Sequence, residues 1–197
     1  MRRRTFDALA TLAGLLLTVV LLVAGGLLVW GHSFVTSEVH SQLAAQKVVF
    51  PAKGSPEIKA LPPADAAAMS RYAGQLMTTG AQAETYADHF IAVHLVHIGG
   101  GKTYAQLSAA SLAQPKNAAL AGQVQTVLRG ETLRGMLLNA YGFWKMGQIM
   151  LVAAWAAFAA AGLMLILSVL GLAHLRRATP ESEIFPTLAT RVHASAA

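Results

Sequence analysis

Three histidines, His89, His94 and His97, lie close together beside Glu84 and Asp88. Imidazole nitrogens ligate zinc, copper and haem iron, and carboxylates complete many such sites. On a helix His94 and His97 are neighbours at i, i+3, a spacing that can chelate a metal ion. His89 points about 140° away from His94, so the three do not close on one ion. Glu84 and Asp88 pair at i, i+4 on another face. The pattern reads first as histidines half-buried and hydrogen-bonded in a helical bundle, with His94 and His97 as the candidate metal ligands. A haem would need an axial partner from another helix, and His40 is the candidate. The chain has no cysteine. That excludes c-type haem attachment, thiolate zinc sites, iron–sulfur clusters and disulfides.

Gly99-Gly100-Gly101-Lys102-Thr103 suggests a phosphate loop. A Walker A motif requires glycine where Val96 stands, and a preceding strand where the pattern here is helical. The run reads as a helix C-cap followed by an N-cap. No Ser-His-Asp set, carboxylate pair or HExxH motif assembles, so no catalytic residue is assigned. No cofactor is called for.

The elements that must position these residues are set by two apolar runs. Residues 149–175 are apolar apart from Gly162, Ser168, Gly171 and His174. At about 1.5 Å per residue the run is about 40 Å long, enough to cross a hydrocarbon core of about 30 Å. Residues 8–30 are apolar except for Thr11 and Thr18, longer than a signal-peptide core of about 7–15 residues, so they read as an uncleaved signal anchor. Ala24-x-Gly26 is a weak cleavage signal. The net charge is +6, and the basic excess flanks the spans: Arg2, Arg3 and Arg4 before the first, Arg176 and Arg177 after the second. The positive-inside rule then puts both termini in the cytoplasm of a plasma-membrane protein. A nucleic-acid reader would gather such charge on one folded surface, so nucleic acid is not a partner.

The domain reading follows. Residues 1–31 are a cytoplasmic stub and first span, 32–147 an extracytoplasmic helical domain, 148–175 the second span and 176–197 a disordered cytoplasmic tail. The fold class is all-α: two transmembrane helices flanking an outer helical bundle, with no significant β structure. Val35, Val39, Leu43 and Phe50 continue a helical stripe out of the first span. The prolines between Phe50 and Pro63 make a loop, and helical spacing resumes over residues 64–78. Thr79-x-x-Gln82 and Thr103-x-x-Gln106 are capping boxes that open helices. From Glu131 the spacing of Leu133, Leu137, Ala140 and Trp144 predicts one helix running into the second span. Gly130, Gly135 and Gly142 weaken it, each by up to about 1 kcal/mol. Trp30, Tyr141, Trp144 and Lys145 are the expected interface anchors. Arg129, Glu131 and Arg134 read as a solvated face. Ala10, Gly14 and Thr18, and Ala153, Ala157 and Ala161 with Ala154, Phe158 and Gly162, recur as small-residue stripes. These suit contact between helices in lipid or with another chain, in a homo- or hetero-oligomer.

The residues Phe90-Ile-Ala-Val-His-Leu-Val-His-Ile-Gly-Gly-Gly-Lys-Thr-Tyr-Ala and Leu128-Arg-Gly-Glu-Thr-Leu-Arg-Gly-Met-Leu-Leu-Asn-Ala-Tyr resemble a group of uncharacterised two-span membrane proteins from actinobacteria. The resemblance covers residues from about 64 to 177 and implies a bacterial plasma membrane, without an activity or functional residues to carry over. The expected role is a non-enzymatic accessory or scaffold subunit that docks to membrane or envelope partners. Two alternatives stand beside it. One is an extracytoplasmic ligand sensor signalling through a separate partner, because so short a tail holds no signalling region. The other is a metal- or haem-binding redox protein using His94 and His97.

Overall fold

A computed structural model describes residues 3–177 of the chain. The elements are α1 (Arg3–Ala45), α2 (Pro56–Lys59), α3 (Pro63–Ser70), α4 (Gly80–Tyr86), a π-helical turn (Ala87–Ile91), α5 (Ala92–Gly99), α6 (Tyr104–Ala113) and α7 (Ala118–Arg177). Among the described residues the β structure is one isolated bridge, Val49 to Leu76. The all-α class is therefore observed, and α1 and α7 are each long and apolar enough to cross a membrane. Helix α7 is continuous, as the spacing from Leu133 to Trp144 predicts. The tail from residue 178 onward lies outside the described residues, as does Arg2.

The chain divides into two compact units. The first holds residues 3–30 and 150–177, which are parts of α1 and α7. Here the two helices run antiparallel. A β-carbon built on Gly14 would lie 3.6 Å from Ser168 Cβ, one on Gly171 would lie 2.8 Å from Thr11 Oγ1, and one on Gly25 would meet the Phe158 ring at 2.5 Å. Early positions on α1 thus face late positions on α7. Thr11, Thr18, Ala154, Ala161 and Ser168 are buried. Thr18 Oγ1 donates to the Gly14 carbonyl at 2.8 Å and Thr11 Oγ1 to the Asp7 carbonyl at 2.8 Å, so each hydroxyl is satisfied within its own helix.

The buried positions are 11, 14, 18 and 25 on α1 and 154, 161 and 168 on α7, so that 11, 18 and 25 and 154, 161 and 168 each recur every seven residues with Gly14 between. The four-residue stripes read from the sequence are corrected in part. Ala10, Ala153 and Gly162 are exposed, whereas Gly14, Thr18, Ala154 and Ala161 are buried. The reason is helical drift. A straight helix turns through 3.6 residues, and long helices in contact keep a repeat of 3.5 that places every seventh residue on the seam.

The second unit is residues 31–149. Its larger core joins Val39, Leu43, Phe50, Ile58, Leu61, Met69, Met77, Ala83, Ala87 and Leu137; a smaller cluster joins Leu95, Leu107, Val124 and Val127, and Ile91 packs on both. Phe50, Met69, Met77 and Leu107 are fully enclosed. Phe50 packs edge-on to Tyr86, with ring centroids 5.3 Å apart.

Sequence-level rules account for most of the breaks. Both capping boxes form: Thr79 with Gln82, and Thr103 with Gln106. Gly100, at φ +59°, is the left-handed C-cap of α5. Asn117 Oδ1 accepts from the Leu120 amide at 3.0 Å and caps the start of α7. Two expectations fail. The stretch between Phe50 and Pro63, read as a loop, carries the one-turn helix α2, which Pro56 opens at a position where the missing amide costs nothing. Helical spacing over 64–78 predicts a helix, but α3 stops at Ser70. Gly74 takes φ +73°, and the chain beyond it is extended. The Phe50 amide donates to the Gln75 carbonyl at 2.9 Å and the Met77 amide to the Val48 carbonyl at 2.8 Å. This pairing satisfies backbone groups that a helix would otherwise have satisfied internally.

Two kinds of glycine follow from the packing. Gly80 lies against Trp144: a β-carbon there would be 2.7 Å from Trp144 Cγ, whereas Gly135 and Gly142 have nothing within 4 Å. Gly80→Ala should therefore destabilise the protein by about 1–3 kcal/mol through overpacking. Gly142→Ala and Gly135→Ala should each stabilise it, by up to about 1 kcal/mol. Thermal unfolding of the purified chain reads all three. A stabilising Gly80→Ala would show that the contact with Trp144 is loose.

Candidate functional site

The cluster first singled out from the sequence lies on α4, the π-helical turn and α5, and its members do separate jobs. His89 Nδ1 stands 2.7 Å from Asp65 Oδ1 of α3. Asp88 accepts from Arg134 Nη2 of α7 at 2.9 Å, and Arg134 also reaches Glu131 at 3.6 Å. Glu84 lies close enough to Tyr141 of α7 to hold its phenol above the ordinary tyrosine range, with burial adding to the same shift. Burial alone pushes the Tyr86 phenol up. The solvated reading of Arg129, Glu131 and Arg134 is thereby corrected for Arg134, which ties α7 to the turn carrying Asp88.

His94 Nδ1 lies 2.7 Å from the Phe90 carbonyl of its own helix, and its ring packs on Phe90 at 4.4 Å. His97 is exposed, and so is His40 on α1. Among the described residues no three His, Cys, Asp or Glu side chains converge as a metal site would require. The pairing of His94 and His97 on one ion therefore gains no third ligand. His89, the remaining histidine of the cluster, is engaged by Asp65 instead. In the π-helical turn the Ala92 amide bonds back to the Ala87 carbonyl, which adds a residue to that turn.

The expected anchors are distributed unevenly. Trp30 and Lys145 are exposed. Tyr141 and Trp144 stack on one another at 6.2 Å, and Trp144 packs on the larger core of the second unit. That packing is a reason for aromatic residues at 141 and 144 apart from any contact with lipid. Arg176 and Arg177, of the topology set, are exposed at the end of α7; Arg3 and Arg4 belong to the first turn of α1.

Concave surfaces lie in both units, and a shallow one of about 300 Å³ beside His94 is lined by Phe90, Ile98, Arg129 and Leu133. In the first unit a cavity of about 440 Å³ is lined by Asp7, Thr11, Ser168 and His174 among others. His174 Nε2 stands 4.0 Å from Asp7 Oδ2 there. In the second unit a groove of about 500 Å³ runs between residues 34–46 of α1 and 136–143 of α7. Sequence reasoning missed the groove because it follows from how the two helices pack, and the exposed face of α1 there reads as ordinary polar helix surface.

No family model matches the chain, and neither a curated protein nor a solved structure is significantly similar to it.

Gln82 offers a direct test of the local architecture. It is buried, accepts from the Thr78 and Thr79 amides at 2.8 and 3.0 Å, and donates to Gln75 Oε1 at 3.1 Å. Gln82→Ala strands two amide donors and should cost about 1–3 kcal/mol. Gln106→Ala, in the exposed capping box, should cost at most about 1 kcal/mol. Denaturant titration of both variants checks the order. Equal costs would show that burial of Gln82 is unimportant.

Tyr86 and Tyr141 give a pH dependence. Their folded-state pKa values lie above the unfolded value, so the folded chain resists losing these protons. Stability is fully present below a pH of about 10 and falls as pH rises through the raised values. Glu84→Gln should bring the Tyr141 transition, followed by ultraviolet absorbance, back toward the ordinary value. An unmoved transition would show that Glu84 does not act on Tyr141.

Proposed function

We propose that this chain is a plasma-membrane protein with two spans and cytoplasmic termini, and that residues 32–147 form an extracytoplasmic, non-enzymatic docking subunit for membrane or envelope partners. The observation that carries the reading is exposure. Only 17% and 11% of the most apolar windows of α1 and α7 are buried. A core helix of a soluble protein hides such a window. Here Val20, Leu27, Val152 and Trp155 are each more than half exposed, at 61%, 63%, 70% and 69%. Lipid covers such surface without cost.

The antiparallel course of the helices in the first unit supports ends on one side, and the flanking arginines support the cytoplasmic side. The docking role rests on the second unit. It has its own enclosed core, yet leaves Leu133 and Met136 of α7 at 57% and 63% exposure. Two of its charged pairs join elements to each other: Asp65 with His89, and Asp88 with Arg134. Those roles stabilise a surface and leave the recognition to apolar side chains.

The cysteine-free chain makes the test clean. A Gly54→Cys variant should react with a membrane-impermeant maleimide on intact cells, and a Ser195→Cys variant only after permeabilisation. The reverse pattern would overturn the topology. Leu133→Glu, at an exposed site, should leave thermal stability within about 0.5 kcal/mol of the parent and release components that co-purify with it in mild detergent. Unchanged co-purification would remove this face from the docking surface.

A further inference from the structure

We propose that the groove between the outer parts of α1 and α7 binds a lipid with a neutral, polyhydroxylated head, a sugar-headed amphiphile. The proposal rests on the membrane reading above and names a lipid partner for a second surface, which shares Met136 with the face just described. The groove lies wholly within the second unit, and its volume of about 500 Å³ falls in the range of small-molecule sites, about 300–1,000 Å³.

Its lining is apolar along its length, with Val39, Leu43, Met136 and Leu137 beyond the aromatic pair, and its polar side chains begin one turn from the aromatic end. Phe34 of α1 and Phe143 of α7 form one end and are 58% and 49% exposed. Successive turns of α1 then supply Glu38, Gln42 and Gln46, and α7 supplies Asn139. Phe34 and Phe143 are also the aromatic lining residues nearest, in sequence, to the two apolar runs. An amphiphile would set its acyl chain against Phe34 and Phe143 and its head among Glu38, Gln42, Gln46 and Asn139.

The polar side chains select the head. Gln and Asn amides both donate and accept, and a carboxylate accepts only. Gln42 Nε2 donates to Glu38 Oε1 at 2.6 Å, which fixes that carboxylate across one turn. No lysine or arginine lines the groove. A phosphate or carboxylate head would find no counter-charge and would face Glu38. Sugar hydroxyls satisfy both partners, donating to Glu38 and accepting from the amides. A third protein helix fits less well. It would lay its apolar stripe along Glu38, Gln42 and Gln46 and bury their remaining donors and acceptors, beyond the Gln42–Glu38 bond, without partners.

The test uses the full chain purified in an amine-oxide detergent and native mass spectrometry. The probes are a diacylglycerol with a disaccharide head, phosphatidylglycerol with the same acyl chains, and the headless diacylglycerol. One disaccharide lipid per chain should be retained, at least about tenfold more tightly than either control. Ala140→Trp, which fills the groove, should abolish retention. Gln42→Leu with Asn139→Leu alters exposed side chains only and should weaken it by about tenfold. Equal retention of phosphatidylglycerol, retention untouched by both variants, or a protein dimer that Ala140→Trp dissolves would each overturn the proposal. Retention does not depend on orientation in a membrane. Failure here with Gly54→Cys labelled from outside therefore rejects the site and leaves the topology standing.

Discussion

Close approach of two long helices is the constraint on which the first unit depends. In the membrane reading proposed above, apolar side chains would gain nothing by leaving lipid for one another, so the two helices would associate through contact at short range. The sequence meets this by placing small residues on both seams. Gly14 receives Ser168, and Gly171 receives Thr11. The arrangement is reciprocal: on each helix a hydroxyl and a glycine stand three positions apart, and each hydroxyl rests on the other helix's glycine. Large side chains are turned outward, where lipid would hold them. Bulk added at either glycine would separate the rods and forfeit dispersion contacts along the seam.

The second unit solves a different problem by different means. It surrounds Phe50, Met69, Met77 and Leu107 with side chains from short helices and loops. It has no disulfide to help it, so packing and hydrogen bonds must fix the short helices. Gln82 bonds the two amides before α4 and the side chain of Gln75, tying the helix start to the extended segment. Asp88 and Glu84, one turn apart, engage Arg134 and Tyr141 of α7. Partly exposed ion pairs of this kind contribute about 0–1 kcal/mol each. They therefore set register more than stability.

Local chemistry was legible in the sequence wherever one turn decides the outcome. The capping boxes at Thr79 and Thr103, the left-handed cap at Gly100 and the apolar runs are of this kind, because each depends on residues within four positions. What depends on a distant partner was not. Helical spacing over 64–78 was overruled by backbone pairing between Val49 and Leu76. Arg134 looked solvated because Asp88 lies far away in the chain. The small-residue stripes were read at a spacing of four, which holds for one turn of one helix, whereas contact along the seam follows a spacing of seven. The groove beside Phe34 and Phe143 arises only when two helices lie side by side, so no single stretch announces it.

The seam gives the most direct test of the account. Cβ atoms at positions 14 and 168 would lie 3.6 Å apart, inside the usual range for a disulfide of about 3.5–4.5 Å. The chain has no cysteine of its own. A Gly14→Cys, Ser168→Cys double variant with a protease site inserted near Gly54 should be oxidised in native membranes. After cleavage the two fragments should stay joined until a reductant is added. Fragments that separate without reductant, or that join only between chains, would contradict the antiparallel pairing of the two helices within one molecule.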